Sequence, residues 1–287
     1  MGPSALRPGL TATTVRSGTG DDPLGHLGED PLAFRSPNRT LVAQGTAARI
    51  ELGERSGWAD DVASVSQALA AIERRGPDRD PASGPVAFCA FPFDRRRPAT
   101  ALIPRVLRGR DAARSSWMTT IDADRSQAAP SPLASEPGET VPSSGATGGD
   151  EPVELRLQAT TSDADWMAKV VEMTTRMAEG HLEKAVLFRE LALSSTATLD
   201  PGALYRRLLP TAPAGYVFCI DGFVGASPEL LVSRIDDTVR AQPMAGTLPR
   251  SGDPKVDMGH AGELLRSDKL RHEHEVTILR AHDALLG

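Results

Sequence analysis

The stretch Gly222-Phe-Val-Gly-Ala-Ser-Pro-Glu-Leu-Leu-Val232 decides the reading of this chain. Two glycines, a hydroxyl, a proline and one carboxylate interrupt an otherwise apolar run. Just before it, Asp221-Gly222 separates the apolar residues Gly215 to Ile220 from Phe223 to Gly225. That dipeptide is a strong two-residue hairpin signal, because a type I′ turn needs positive φ at both central residues. Just after it, Leu230 to Ile235, an Asp236-Asp237 turn and Thr238 to Gln242 predict a second hairpin. Glu229, between Pro228 and Leu230, is the residue to explain. On residue type alone it is a strand-edge or capping residue, since glutamates are mostly exposed unless paired. In a strand it would be partly desolvated, which raises a carboxyl pKa toward values useful to a general acid. The functional reading needs partners elsewhere in the chain.

The bulk composition sets limits on those partners. The 287 residues allow one large domain or two smaller ones, and 40% apolar with only 4% aromatic content predicts a largely aliphatic core. A net charge of −6 gives no basic footprint for nucleic acid or an anionic membrane surface, so binding to neither is expected. Cys89 and Cys219 lie inside apolar runs and read as reduced core thiols. No signal-like apolar segment opens the chain, and no run approaches the ~18 apolar residues of a membrane span, which predicts a cytoplasmic protein.

Residues 1–37, rich in Gly, Pro, Ser and Asp, read as a disordered lead-in. Residues 38–125 read as the N-terminal part of an α+β fold. Thr40 to Leu52 suggests two short strands around Gln44-Gly45, and Val62 to Ile72 has helical spacing, with Ala63, Leu69 and Ile72 among its apolar positions. Val86 to Phe93 is a short apolar run, Asp94 and Arg95-Arg96-Arg97 read as a solvated loop, and a strand from Thr100 is expected to end at Pro104. Residues 126–152 are dominated by Ser, Pro, Gly, Ala and acidic residues and read as a linker or long surface loop.

Residues 153–287 carry the sharper signals. Ser162-Asp163 caps a helix with Trp166, Val170, Met173 and Met177 on one core-facing side, and Gly180 stands at its C-terminal end. Lys184 to Leu193 is strand-like, with Lys184 at the start of an apolar face. Asp200-Pro201 opens a short helix. Pro243-Met-Ala-Gly-Thr-Leu-Pro249 is a loop with backbone amides and a hydroxyl free to hold an anion, Gly246 and Thr247 foremost. Ser267 caps a final helix with Leu270, His274, Ile278, Ala281 and Leu285 along one stripe and Glu273 beside it. His272 and His274, two apart on a helix, point to different sides, which argues against a shared zinc ion.

Taken together, Lys184 in Glu183-Lys-Ala-Val-Leu-Phe-Arg189, Glu229 in Gly225-Ala-Ser-Pro-Glu-Leu-Leu231, Pro243-Met-Ala-Gly-Thr247, and Ser267 with Arg271-His-Glu-His274 resemble the chorismate-using enzymes in order and spacing. These are the isochorismate, salicylate, anthranilate and aminodeoxychorismate synthases. Val86-Ala-Phe-Cys-Ala-Phe-Pro-Phe-Asp94 is similar to the corresponding block of the isochorismate synthase branch.

The resemblance implies an α+β fold of the anthranilate synthase component I-like type, mainly antiparallel sheets with helices outside. It implies that Lys184 is the general base activating water against C2 of chorismate. Glu229 would be the general acid for the departing C4 hydroxyl, and Glu273 a ligand of Mg²⁺. Ala245, Gly246, Thr247 and His274 would bind substrate. Such chemistry uses a lysine depressed and a glutamate raised by burial. A lysine at position 184 argues for water attack, or for the lysine-linked aminodeoxychorismate route, and against the ammonia-using anthranilate branch. Leu270 and Phe188 depart from the family's usual acidic and small residues.

In the family a longer C-terminal portion supplies an arginine, a second Mg²⁺-ligating glutamate and further strands. The expectation is therefore a fold incomplete at its C-terminus, weakly active alone, for which a complementary C-terminal chain is a candidate partner. The alternative activity is that of salicylate synthase, distinguished by pyruvate release. The alternative from another class is a catalytically inactive truncated fragment, or one part of a split enzyme. The product of the favoured reaction feeds menaquinone or a catechol siderophore.

Overall fold

Leu10 to Ser17 forms a strand, β1, in which Leu10, Thr11, Ala12 and Thr14 are buried. The computed structural model to which it belongs describes residues 9–123, apart from 19, 29–30, 53–56, 78–82 and 95, and residues 154–286. The expected linker at 126–152 lies outside the described residues, as do residues 1–8. The described part of the expected disordered lead-in is ordered, holding β1, a short 3-10 helix over Pro23–His26 and a strand over Leu32–Ser36. The Leu-Thr-Ala-Thr-Thr-Val run has the β-branched content of a strand. Its buried hydroxyl at Thr14 is paired with Thr119 Oγ1 at 2.9 Å, so burial leaves no orphan there.

Two compact units divide the chain: residues 1–145 with 200–228, and residues 146–199 with 229–287. The expected single body over 153–287 is thus split, because residues 200–228 contribute strands to the sheet of the first unit.

That sheet has nine strands. After β1 come β2 (Leu32–Ser36), β3 (Arg39–Leu52), β4 (Glu73–Arg75), β5 (Phe88–Ala90), β6 (Ala99–Asp111) and β7 (Ser116–Ala123). Further strands 8 and 9 belong to the second unit, and β10 (Tyr216–Ile220) and β11 (Phe223–Ser227) return to this one. The order is β11-β10-β2-β3-β6-β7-β1-β4, with β5 also on β6. The described pairings are antiparallel except for β1 with β4.

Gly45 does not separate two strands, as expected from sequence, but bends one. It takes φ 63° inside β3, and the register to β6 shifts between Thr46 and Ala48. Pro104 sits opposite Thr46, where the bulge relieves the ladder of the amide that proline lacks, so β6 runs through Pro104 to Asp111.

Two helices cover the sheet. In α1 (Trp58–Ala70) the buried positions are Asp61 and Val65, and with Ile72 the helix closes a cluster containing Leu10, Ile50, Leu52, Ile103 and Ile121. Ala63 faces solvent, one residue off the covered stripe. A second helix, α3 (Pro201–Leu208), is capped by Asp200 accepting from the Gly202 amide at 2.8 Å, and seats Tyr205 on Ala33, Val42, Val217 and Cys219. Arg96 pairs with Asp94 at 2.9 Å in the exposed loop expected there.

The second unit holds β8 (Leu155–Ala159) paired with β9 (Leu191–Ser195), and β12 (Leu230–Ile235) paired with β13 (Thr238–Gln242). Between β8 and β9 lies α2 (Asp163–Ala178), and α4 (Pro254–Arg266) and α5 (Asp268–Leu286) follow β13. Ser162 caps α2 through the Asp165 amide at 3.1 Å. At the other end Gly180, at φ 75°, donates to Met177 O while His181 donates to Arg176 O. These are the paired bonds of a Schellman motif. The predicted core role of this helix is not realised within the described residues: Trp166, Val170 and Met173 are half-buried, and Met177 is exposed. Among the described residues no helix is long and apolar enough to cross a membrane.

Candidate active site

The second unit brings Lys184 onto the first turns of α5. Its Nζ donates to Thr277 Oγ1 at 2.6 Å and to the Glu273 carbonyl at 3.4 Å, and stands 4.0 Å from Glu273 Oε1. Glu273 and Thr277 are four residues apart, so a helix stacks them on one face. Ser267 starts that helix by accepting from the Leu270 amide, as its position predicts.

The covered face of α5 differs from the expected stripe. Leu270, Glu273, His274, Thr277 and Ala281 are half-buried and Val276 is buried, whereas Ile278 and Leu285 are exposed. The helix is rotated by about one position, which moves Glu273 and Thr277 from the flank into the covered face. Thr277 is the residue that sequence reasoning missed. Its signal was the spacing of four from Glu273.

Lys184 does not begin a strand. Residues 184–190 form no ladder; β9 starts only at Leu191. Its partner β8 ends at Ala159, and beyond it Thr160 bonds the Glu190 carbonyl through both its amide and its hydroxyl before the chain turns into α2. Among the described residues no strand pairs with the segment, and side chains tie it down: Lys184 to Thr277, Arg189 to Asp163 at 2.7 Å, and the adjoining Glu183 to Arg280 at 3.1 Å one turn further along α5.

Glu229 is half-buried and directly precedes β12. Its Oε1 accepts the backbone amide of Met244 at 3.1 Å, tying the start of one strand to the loop that leaves β13. Gly246, two residues on, takes φ 81° and lies against Leu270, whose Cβ, Cδ2 and carbonyl are each 3.6 Å from where a glycine side chain would begin. Glu229, Met244, Gly246, Leu270, Glu273 and Lys184 thus form one connected path. Glu229 and Lys184 are held at its two ends, by separate contacts.

Among the other expected substrate ligands, Ala245 is half-buried, Thr247 is exposed, and His274 is half-buried with its Nδ1 shielded from solvent and unpaired within the described residues. Among the described residues the expected base and acid, Lys184 and Glu229, are both half-buried. The Lys184 side chain retains 27% exposure and that of Glu273 41%.

A divalent cation finds one carboxylate here. Among the described residues no three of His, Cys, Asp or Glu gather in one place. Mg²⁺ is commonly held by one or two carboxylates, with water and substrate oxygens completing its octahedron. Glu273 meets that minimum and does not make an all-protein cage.

The second unit thus carries a lysine amine in the segment before β9, one carboxylate directly before β12 and another on α5. Comparison with known proteins gives the site a family. The sequence profile described as "Chorismate binding enzyme" matches residues 32–286. The chain is 30% identical over 253 residues to isochorismate synthase DhbC of Bacillus subtilis, covering 84% of this chain and 56% of that protein. The solved structure of DhbC from Bacillus anthracis superposes with a TM-score of 0.62 at 27% identity, covering 88% of this chain and 59% of that one. That of MenF, the menaquinone-specific isochorismate synthase of Escherichia coli, does so at 0.64 and 19% identity, covering 96% and 63%. The chain therefore spans less than two thirds of the length of these relatives. It belongs to the chorismate-binding enzyme family, and its α+β architecture is that family's fold.

Proposed function

We propose that this chain carries the acid–base site of an isochorismate synthase, converting chorismate to isochorismate. The observation that carries the reading is the seating of Lys184 against Thr277 and beside Glu273, inside the span matched by the family profile. The relatives named as isochorismate synthases support the choice of reaction.

In the proposed reaction a water molecule attacks C2 of the ring and gives a proton to the Lys184 amine. The two ring double bonds each shift by one position, the C4–oxygen bond breaks, and Glu229 protonates the departing hydroxyl. One C–O bond forms, one breaks and one water is exchanged, so no oxidant or reductant is needed. Each proton transfer by a positioned group contributes roughly 10²–10⁴-fold to rate. The Met244 amide holds Glu229 through its Oε1, and Glu229 is the proposed proton donor. Ala245, Gly246, Thr247 and His274 are the proposed substrate contacts.

We assign Glu273 to Mg²⁺. When bound, the ion supplies positive charge that neutralises and orients a substrate carboxylate. The test is incubation of the purified chain with chorismate and Mg²⁺, followed by chromatographic separation of isochorismate and an assay for pyruvate. Isochorismate without pyruvate, lost in Lys184→Ala, is the expected result. Pyruvate and salicylate in its place would move the protein to the salicylate-forming branch.

A further inference from the structure

We infer that Thr277 is a positioning residue for Lys184, setting where the lysine amine stands for proton transfer. The inference rests on the reading of Lys184 as the base. Three observations carry it. First, among the described residues the Lys184 backbone pairs with no strand, while its side chain reaches α5. Second, the shortest of those contacts, 2.6 Å, is to Thr277 Oγ1, against 3.4 Å to the Glu273 carbonyl and 4.0 Å to the Glu273 carboxylate. Third, Thr277 is oriented as an acceptor. Its own hydroxyl hydrogen goes to the Glu273 carbonyl at 3.0 Å, which turns an oxygen lone pair toward the amine.

The hydroxyl is thus fixed by the helix and the lysine by the hydroxyl. The neighbouring pair of Glu183 with Arg280 holds the same segment but cannot substitute, because both side chains are more than half exposed and such pairs hold weakly. Small displacements of a reacting group are costly: a shift of about 1 Å can lower a rate roughly 10²-fold.

The test compares Thr277→Val, which keeps the branched shape and removes the acceptor, with Thr277→Ser, which keeps the acceptor. Two readouts are taken. Site-resolved labelling with an amine-reactive reagent, referenced to Lys169, reports how firmly Lys184 is held without any need for turnover. Steady-state kinetics with chorismate report the consequence. In Thr277→Val, Lys184 labelling two- to fivefold faster and kcat tenfold or more lower, with KM within twofold, are expected; Thr277→Ser restores both. Wild-type labelling of Lys184 in Thr277→Val overturns the inference, as does equal impairment in Thr277→Ser. Turnover surviving in Lys184→Ala would instead overturn the reading of Lys184 as the base, and the labelling result would stand apart from it.

Discussion

Glu229 Oε1 accepts the Met244 amide at 3.1 Å, so the carboxylate that interrupts an apolar run is tied to the loop carrying Gly246. A carboxamide can accept the same amide, so Glu229→Gln removes the acid and keeps the contact with Met244. Chorismate turnover is expected to fall by roughly 10²–10⁴-fold, the ordinary worth of one acid–base group. The melting temperature should stay within about 2 °C of wild type. A large loss of stability would assign Glu229 to the loop and not to the chemistry.

Arg49 grips Asp221 with two hydrogen bonds, at 2.9 and 3.0 Å, linking β3 to the turn between β10 and β11. The Arg49 hydrogen bonds hold the Asp221 carboxyl below the usual carboxylate range. A group whose pKa is lowered on folding adds stability above its unfolded value of about 3.9 and loses it as pH falls through the lowered value. Both side chains are more than 40% exposed, which limits the effect to about 1 kcal/mol or less. Asp221→Asn preserves the turn, since Asn accepts the 52° φ of that position. The difference in melting temperature between wild type and Asp221→Asn should be constant from pH 5 to 8 and close below about pH 4. A gap that persists at low pH would place the effect in the turn.

The parts of this fold that were legible in the sequence are those with local signals. Asp221-Gly222 and Asp236-Asp237 turned as read, with φ 52° at Asp221 and Asp236, and Ser162, Asp200 and Gly180 bounded their helices. Elements set by distant partners were not legible. Gly45 looked like a turn because β6, which carries the ladder through it, lies about 60 residues away in the chain. The run from Lys184 has the period of a strand, but its neighbour β8 ends too early to pair with it. Asp253-Pro254 repeats the cap signal of Asp200-Pro201 and opens α4, which went unread. At the site, Lys184, Glu229 and Glu273 stood out by their motifs. Thr277 did not, because its role depends on which face of α5 is covered.

Gly109 faces Trp117 across the β6–β7 ladder, and a methyl group on Gly109 would come within 2.2 Å of Trp117 Cζ2. Trp117 is 5% exposed, so the shift this contact forces falls on a buried ring, and Gly109→Ala should cost about 1–3 kcal/mol. Gly259, inside α4 with nothing within 4 Å of its added carbon, should behave oppositely. Alanine there gains roughly 0.5–1 kcal/mol of helix propensity. Urea unfolding of both variants checks the pair of signs.

Burial pushes the Cys89 thiol up to about 11, and the Cys219 side chain is fully buried; neither is in a disulfide. The thiolate is the reactive form, so at pH 8 Cys89 should label at least about 100-fold more slowly than an ordinary thiol of pKa near 8.5. Unfolding in urea should release two fast-reacting groups. Rapid labelling of the native protein would show that β5, which carries Cys89, opens from β6.

Lys184 Nζ lies 4.0 Å from one Glu273 carboxylate oxygen, so a cation there has to share the carboxylate with the lysine. One carboxylate binds Mg²⁺ weakly, and the ion needs substrate oxygens to complete its shell. The expected outcome is therefore conditional: Mg²⁺ raises the melting temperature in the presence of chorismate and has little effect without it. A ligand at 100 times its dissociation constant stabilises by about 2.7 kcal/mol, enough to read in a thermal scan. Glu273→Gln should abolish the joint shift while leaving the melting temperature of the ligand-free protein nearly unchanged. If Mg²⁺ and chorismate together shift Glu273→Gln as far as wild type, the ion is held elsewhere, and Glu273 serves only to hold the lysine.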